Sequence, residues 1–444
     1  MKSGWKLSKA ALALALSGVM VACSSNSGGK SGGDPEASSG GSPAGKVELT
    51  MLTHYVGQNE SFLKPYIDQW NAENPDIQIK PIGVDFGELQ KTIMTRQSAG
   101  QGADIMHFYT LWGGQLQKNN VLAEAPDYIV QDVQANYPPA AVKGASHDGK
   151  VYGYPTEVQA YGLFYNKRLL KEAGFDNPPA TWDELLSMGA AIEQKGSSGQ
   201  VQVQGFGFQR GYAGLVDQPF MAMMAAAGSN LLSDDLTQSN LTSDAGRKTL
   251  ELYSKVYGKD GLTDIAFDTT KGFGAGQVGM TIGAGWWAGS LKTLMKESYE
   301  DVGVSPLPSI DGSSKGTIAY TWAWGVNAKS KNQEAAWKFL QWMNASAGKD
   351  GLTPQGNFLL EAFNTASSRT TDLAAAKLQD HLSSDPIIKT FSDALTYANE
   401  EQSPSTAAEV QDILFKNIES MWTGQQSLED TINNAHTQIE AKLK

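Results

Sequence analysis

Cysteine is nearly absent: among 444 residues only Cys23 carries a thiol. Histidine is scarce too. His54, His107, His147, His381 and His436 are scattered along the chain, and no two fall at the spacing that puts a ligand pair on one helix face, so zinc chemistry has little support. The chain has no P-loop and no Gly-x-Ser-x-Gly elbow, which removes the local signatures of nucleotide hydrolysis and of serine hydrolases. Positive charge is in deficit: 35 Lys and Arg stand against 47 Asp and Glu, a formal net charge of −12. That balance argues against nucleic acid or anionic lipid as the main partner. Beyond the amino end, no stretch reaches the about 20 apolar residues a membrane-spanning helix needs.

What is present begins with Lys2, Lys6 and Lys9, an apolar run from Ala10 to Leu16, and small residues up to Ala22. A basic end, a short apolar stretch and a small-residue processing point describe an export signal over residues 1–22. Its loss takes three lysines and no acid, moving the formal charge from −12 to −15. Met20-Val21-Ala22-Cys23 resembles a bacterial lipobox, which implies a diacylglyceryl group on Cys23. Two acyl chains anchor stably where one is marginal, at ~0.8 kcal/mol per buried methylene. With that sulfur capped, disulfides, thiolate metal sites and cysteine nucleophiles are excluded. Residues 23–45 are mostly Ser and Gly, too poor in apolar side chains to offset the entropy of ordering, and read as a flexible tether.

The remainder, from Lys46, is long enough for two domains. Val47–Leu52 alternates as a strand does. Leu63, Ile67 and Trp70 then share a helix face, and Asn74-Pro75 stops that helix because the residue before proline is pushed out of the helical region. Ile77–Ile82 reads as a strand, Glu88 to Ala99 as a helix, Asp104–Phe108 as a strand. This alternation is the grammar of a mostly parallel sheet with helices on its faces, whose ligands bind at the carboxyl ends of the strands. The pattern breaks at Gly149–Thr156, and a second α/β section follows. It has strands over Tyr161–Tyr165 and near Phe206 and Met280. A helix there opens at Thr181, whose spacing to Glu184 forms a capping box. Ala336, Leu340 and Met343 share a face, and a long helix is expected over Val410–Met421. Gly274–Gly279 matches the dinucleotide fingerprint in letters, but that motif must follow a strand and open a helix. Here a strand, Gly279–Ile282, comes after it, so the nucleotide reading is rejected.

Five pieces, in order, resemble one family. They are Pro75-Asp76-Ile77-Gln78-Ile79; Gly102-Ala103-Asp104-Ile105 with Trp112-Gly113-Gly114 and Val121-Leu122-Ala123; Tyr152-Gly153-Tyr154-Pro155 with Phe164–Leu170; Gly279-Met280-Thr281-Ile282 through Trp286; and Ala335–Leu340. Together they are similar to the family 1 extracellular solute-binding proteins of ABC sugar importers, the maltose-binding-protein-like group, over nearly all of residues 47–444. The resemblance implies an α/β, two-lobed periplasmic-binding-protein-like fold of type II. Each lobe would be a mostly parallel sheet flanked by helices, and hinge crossovers would join the two. The implied lobes are 46–157 plus about 325–368, and 158–324 plus about 369–444. It also implies a monomer that is not an enzyme, needs no cofactor or metal, and passes its solute to permease subunits served by a separate ATPase. The setting is extracytoplasmic, at the membrane through Cys23, and the long tether favours a Gram-positive surface over a periplasm.

Sugars offer C–H faces that stack on rings and hydroxyls that need paired donors and acceptors. Aromatic residues stand beside polar ones where strands should end: His54-Tyr55 with Gln58, His107-Phe108-Tyr109 with Trp112, Gln209-Arg210 with Tyr212, Trp286-Trp287, and Tyr320-Thr321-Trp322. By the resemblance, Trp286 and Tyr212 fall on aromatic ligand positions and Gln209 on a neighbouring polar one. Gln159 falls where the family's best-known member has a ligand-contacting Glu, with Glu157 adjacent. The expected stacking surfaces are Trp286, Tyr212, Tyr55 and Trp112, and the expected hydroxyl partners are Gln58, Glu157 and Gln209. Tyr109, Gln159 and Trp322 complete the expected site. Trp70, Trp182, Trp337 and Trp342 read as helix-borne core residues. The competing readings keep the fold but change the solute to a glycerol phosphate ester or a polyamine, or make the chain a surface glycoside hydrolase whose carboxylates have no local signature.

Overall fold

The computed structural model describes residues 46–444 other than Lys259; the export signal, Cys23 and the Ser/Gly tether lie outside the described residues. Val47–Thr53 (β1), Gln58–Glu73 (α1), Ile77–Gly83 (β2), Phe86–Ser98 (α2) and Ile105–Tyr109 (β3) follow in the order the periodicity predicts. β1 pairs in parallel with β2 on one side and β3 on the other. Gly57, just before α1, has φ +60°, a left-handed conformation that a side chain would strain. α1 ends before Asn74-Pro75, and the Asn74 N–H returns to the Trp70 carbonyl. Leu63, Ile67 and Trp70 are buried, and the Trp70 indole N–H donates to the Ile77 carbonyl at 3.0 Å, holding α1 against β2.

The sequence marks a break over 149–156 and a new strand over 161–165. The structure instead has one 14-residue strand, Gly153–Asn166 (β4). Pro155 is accommodated beside a register shift in its ladder, the position at which a strand tolerates a missing N–H. Val201–Phe206 (β5), Val278–Ala284 (β6), Val302–Ser305 (β7) and Ile318–Val326 (β8) complete the main strands. They form one sheet in the order β2-β1-β3-β8-β4-β6-β5. The two-residue strand at 194–195 lies at its edge, β7 pairs with β4, and residues 399–400 pair with β8. Pairing is parallel within each flank, β1 with β2 and β3, β5 with β6. β4 and β8 run antiparallel between the flanks. The sheet thus passes from one lobe to the other through two crossing strands.

Helices cover the flanks. Trp182–Ile192 (α3) opens with the expected capping box: the Glu184 N–H donates to Thr181 Oγ1 at 3.1 Å and the Thr181 N–H to Glu184 Oε2 at 3.2 Å. Gly205 of β5 lies so near α3 that a Cβ there would stand 1.7 Å from the Gly189 carbonyl. Gly214–Ala226 (α4), Trp287–Met295 (α5), Gln333–Ala345 (α6), Pro354–Phe363 (α7), Ala407–Trp422 (α8) and Leu428–Leu443 (α9) follow. The glycine-rich match to the dinucleotide fingerprint falls on a helix end, 269–274, that precedes β6, the reverse of the order phosphate binding needs. One flank is filled by Leu49, Trp324, Trp337 and Phe358, the other by Phe164, Phe273, Trp287 and Leu291. Among the described residues no helix is long and apolar enough to cross a membrane.

Candidate binding site

Alternation along the crossing strands decides which side chains meet. Successive residues of a strand face opposite ways, and Trp322 is paired with Tyr109, Trp324 with His107, and Tyr320 with Gln159. His107, Tyr109, Gln159, Tyr320, Trp322 and Trp324 therefore share one face. Thr321 and its partner Val158 take the other.

Trp322 is the centre of the shared face. Its ring lies 4.3 Å from His54, 4.8 Å from His107, 5.6 Å from Tyr109 and 5.9 Å from Trp112. Phe86, the first residue of α2, adds a further wall 5.6 Å from Trp322 and touches Tyr212, from the segment before α4, at 4.7 Å. That pair joins the two flanks, and the ring layer is shut in this structure. Trp286, at the end of β6, donates from its indole to the Tyr320 hydroxyl at 3.0 Å, and its backbone N–H donates to Gln159 Oε1 at 3.1 Å. Gln159 in turn donates to Thr365 Oγ1 at 3.3 Å.

Polar groups are buried in and beside this layer. Glu157 is only 5% exposed and its Oε2 has no hydrogen-bond partner. Burial pushes its pKa up to about 7, against hydrogen bonding from Thr156. Tyr109 donates its hydroxyl to Glu401, and Tyr161 donates to Gln218. Burial raises Glu401 to about 8, opposed by the bond from Tyr109. Asp217, in the first turn of α4, is fully buried and raised well above the carboxylate range, first by burial and then by Glu401. His54 and His107 face each other through their Nδ1 atoms at 3.3 Å, so one must donate and the other accept. Burial lowers His54 to about 3, and burial together with His54 lowers His107 well below its usual value. Both rings are neutral at pH 7.

The structure brings Tyr109, Trp112, Glu157, Gln159, Tyr212, Trp286 and Trp322 into or beside one layer. Tyr55 turns elsewhere: it is buried against Phe358 at 4.7 Å and Phe363 at 5.4 Å, in the core beneath the histidines. Gln209 is buried and donates to the Ile282 carbonyl at 3.3 Å. Gln58 opens α1, and its side chain lies outside the described residues. Arg210 bonds to the Ile265 carbonyl and covers the Tyr257 ring at 5.6 Å. Trp287 and Trp324 are core residues, packed on Phe164 and bonded to Gln355 Oε1 respectively. Sequence reasoning missed Phe86, Tyr161, Asp217, Gln218 and Glu401. Only Asp217-Gln218 left a trace, a polar pair inside an otherwise apolar helix.

A cavity of about 590 Å³ adjoins the layer. Thr110, Val158, Ala319 and Thr321 line it from the opposite face of the crossing strands, and Tyr320 and Glu401 line it too. Its few rings give it little of the stacking surface found in the layer. Among the described residues no group of three or more His, Cys, Asp or Glu could hold a metal ion.

Residues 56–350 match the family model of the bacterial extracellular solute-binding proteins. A putative binding protein of Brucella abortus is 28% identical over 324 residues, which cover 71% of this chain and 76% of the relative. The GacH receptor of Streptomyces glaucescens, solved unliganded and with acarbose, superposes with a TM-score of 0.77 at 19% identity, covering 90% of this chain and 98% of that one. An ABC transporter solute-binding protein of Thermotoga lettingae, bound with α-D-tagatose, superposes with a TM-score of 0.78 at 19% identity, over 90% of this chain and all of that one.

Proposed function

The chain belongs to the bacterial extracellular solute-binding protein family, and on that premise we propose that it captures a carbohydrate, an oligosaccharide, between its two lobes and hands it to the permease of an ABC importer. The observation that carries this reading is the ring layer at the crossing strands, where Trp322, Trp112, Phe86 and Tyr212 alternate with Glu157, Gln159 and tyrosine hydroxyls. Rings of this kind match sugar C–H faces, and the interspersed amides and carboxyls match hydroxyls. Walls come from both flanks, so a guest lodged among these rings contacts both lobes at once and shifts the balance between open and shut states. The proposed lobes, 46–157 plus about 325–368 and 158–324 plus about 369–444, divide within β4 and near the end of β8. Trp286, Tyr212, Trp112 and Trp322 serve as stacking surfaces; Tyr109, Glu157 and Gln159 serve hydroxyls. A diacylglyceryl group on Cys23 and the tether over 23–45 hold the protein at the outer face of the membrane.

Thermal shift and tryptophan fluorescence against a panel of mono- and oligosaccharides test this reading. A sugar at 100 times its Kd stabilises the fold by about 2.7 kcal/mol. Trp286→Ala weakens the best sugar roughly tenfold or more if stacking supplies over ~1.4 kcal/mol. Unaltered affinity in that variant removes Trp286 from the site, and silence across the whole panel ends the carbohydrate reading.

A further inference from the structure

His54 and His107 form a pair with one open end. His54 stands directly after β1 and His107 lies in β3, and the parallel pairing of these strands brings the two rings together. The ring planes are within 10° of each other, the centroids are 5.1 Å apart and the Nδ1 atoms 3.3 Å apart, so the rings meet edge to edge. His107 is sealed, 0% exposed, with Trp324 at 4.2 Å and Trp322 at 4.8 Å. Its second nitrogen, Nε2, lies 3.4 Å from Thr156 Oγ1. His54 is half-buried, its ring 4.3 Å from Trp322 and 6.0 Å from Phe86. Its Nε2 has no hydrogen-bond partner among the described residues, yet that atom is not sealed from solvent.

A neutral imidazole carries one N–H and one bare nitrogen. Burial keeps both rings neutral, so the Nδ1 contact admits only opposite tautomers: one ring holds its hydrogen on Nδ1, the other on Nε2. If His107 donates, His54 carries a hydrogen on Nε2. If His54 donates, its Nε2 is bare. The Thr156 hydroxyl can complete His107 in either case, because it can accept or donate. Both arrangements give His107 two partners and His54 one. The nitrogen left over is on the far side of the His54 ring from His107, at the edge of the layer that solvent reaches.

We propose that His54 Nε2 is a hydrogen-bonding group for the solute, and that His107 is the positioning residue that fixes whether this nitrogen donates or accepts. The group it suits is the hydroxyl of an uncharged sugar, which can do either and leaves no charge unmatched beside a neutral ring. The proposal rests on the carbohydrate reading above and deepens it, from stacking faces to one atom that reads a hydroxyl.

Two measurements on the full chain test it. The first is a long-range proton–nitrogen correlation spectrum at pH 7 of protein labelled with nitrogen-15 histidine, assigned with His54→Gln and His107→Asn. The expected result is one Nδ1–H ring and one Nε2–H ring for this pair, both neutral. Two Nε2–H rings, a charged ring, or averaged signals from exchanging tautomers overturn the pairing and the proposal with it. The second is calorimetric titration with maltose, maltotriose and tagatose. For whichever binds tightest, His54→Phe weakens binding about fivefold or more, the loss of one hydrogen bond. His54→Gln, which keeps a polar group near the Nε2 position, stays within about twofold of wild type. His107→Asn, which keeps a donor and an acceptor where Nδ1 stood, weakens binding less than His107→Phe. Should a His107 variant fail to fold, the wild-type spectrum and the two His54 variants still decide. Equal affinity in wild type and His54→Phe overturns the proposal and leaves the carbohydrate reading standing. A wild type that binds none of these sugars, nor any of the wider panel, overturns both.

Discussion

Two regions of this molecule bury charge, and they do so in opposite ways. Arg369 and Asp132 are 6% and 18% exposed in their side chains and form a bidentate pair, both contacts at 2.9 Å. The guanidinium also lies over the Tyr137 ring at 5.5 Å. Burial alone would raise the Asp132 carboxyl, but the hydrogen bonds and charge of Arg369 hold it below its usual value. By contrast, burial raises Glu157, Asp217 and Glu401, and no cation offsets it. A pair matched within the chain is complete without a partner from outside. Unmatched buried acids are groups the fold holds at a cost.

Breaking the matched pair gives the largest effect. Arg369→Ala strands a buried carboxylate and lowers stability by about 3–5 kcal/mol, read from the urea midpoint at constant slope. A loss below about 1 kcal/mol would mean that solvent screens the pair and that the contrast with the ring layer is false. The unmatched acids give a smaller effect with a definite sign. Folding raises Glu157 from 4.5 to about 7 and Glu401 from 4.5 to about 8, so the folded chain keeps protons that the unfolded chain releases. Stability therefore falls as pH rises from about 4.5 to about 8. His54 and His107 act oppositely, since their lowered pKa values make stability rise with pH up to their unfolded value near 6.5 and leave it flat above. Between pH 6.5 and 8.5 only the acids remain, and the melting temperature falls by on the order of 1–3 °C. Glu157→Gln shows a shallower fall, and a wild-type curve that stays level over this window contradicts the picture. The smallest effect is a control. Lys64 and Asp68 pair at 2.5 Å one helical turn apart, but their side chains are 65% and 59% exposed. Lys64→Ala changes stability by no more than about 0.5 kcal/mol, and a larger loss would show that pairing matters here irrespective of burial.

Part of this was readable along the chain because it depends on neighbours in sequence. The end of α1 follows from Asn74-Pro75, and the start of α3 follows from Thr181 and Glu184, whose reciprocal bonds span three residues. The rejection of a nucleotide loop at 274–279 rests on the order of helix and strand, which the structure repeats. Other readings depended on which way a side chain points. Trp286 and Trp287 are adjacent, yet the first bonds to the Tyr320 hydroxyl and the second packs on Phe164 and Phe273. Tyr55 follows His54 directly, and only His54 lies against Trp322.

Local pattern determined the alternation of strands and helices, the stops and caps, and the aromatic-rich segments from which a site could be drawn. It did so because periodicity, proline and capping act over a few residues. Which rings share a face with Trp322 was decided only when β4 and β8 crossed between the flanks. Desolvation, the force that sets the protonation of Glu157, Asp217 and Glu401, belongs to the packed interior and has no counterpart in the linear sequence.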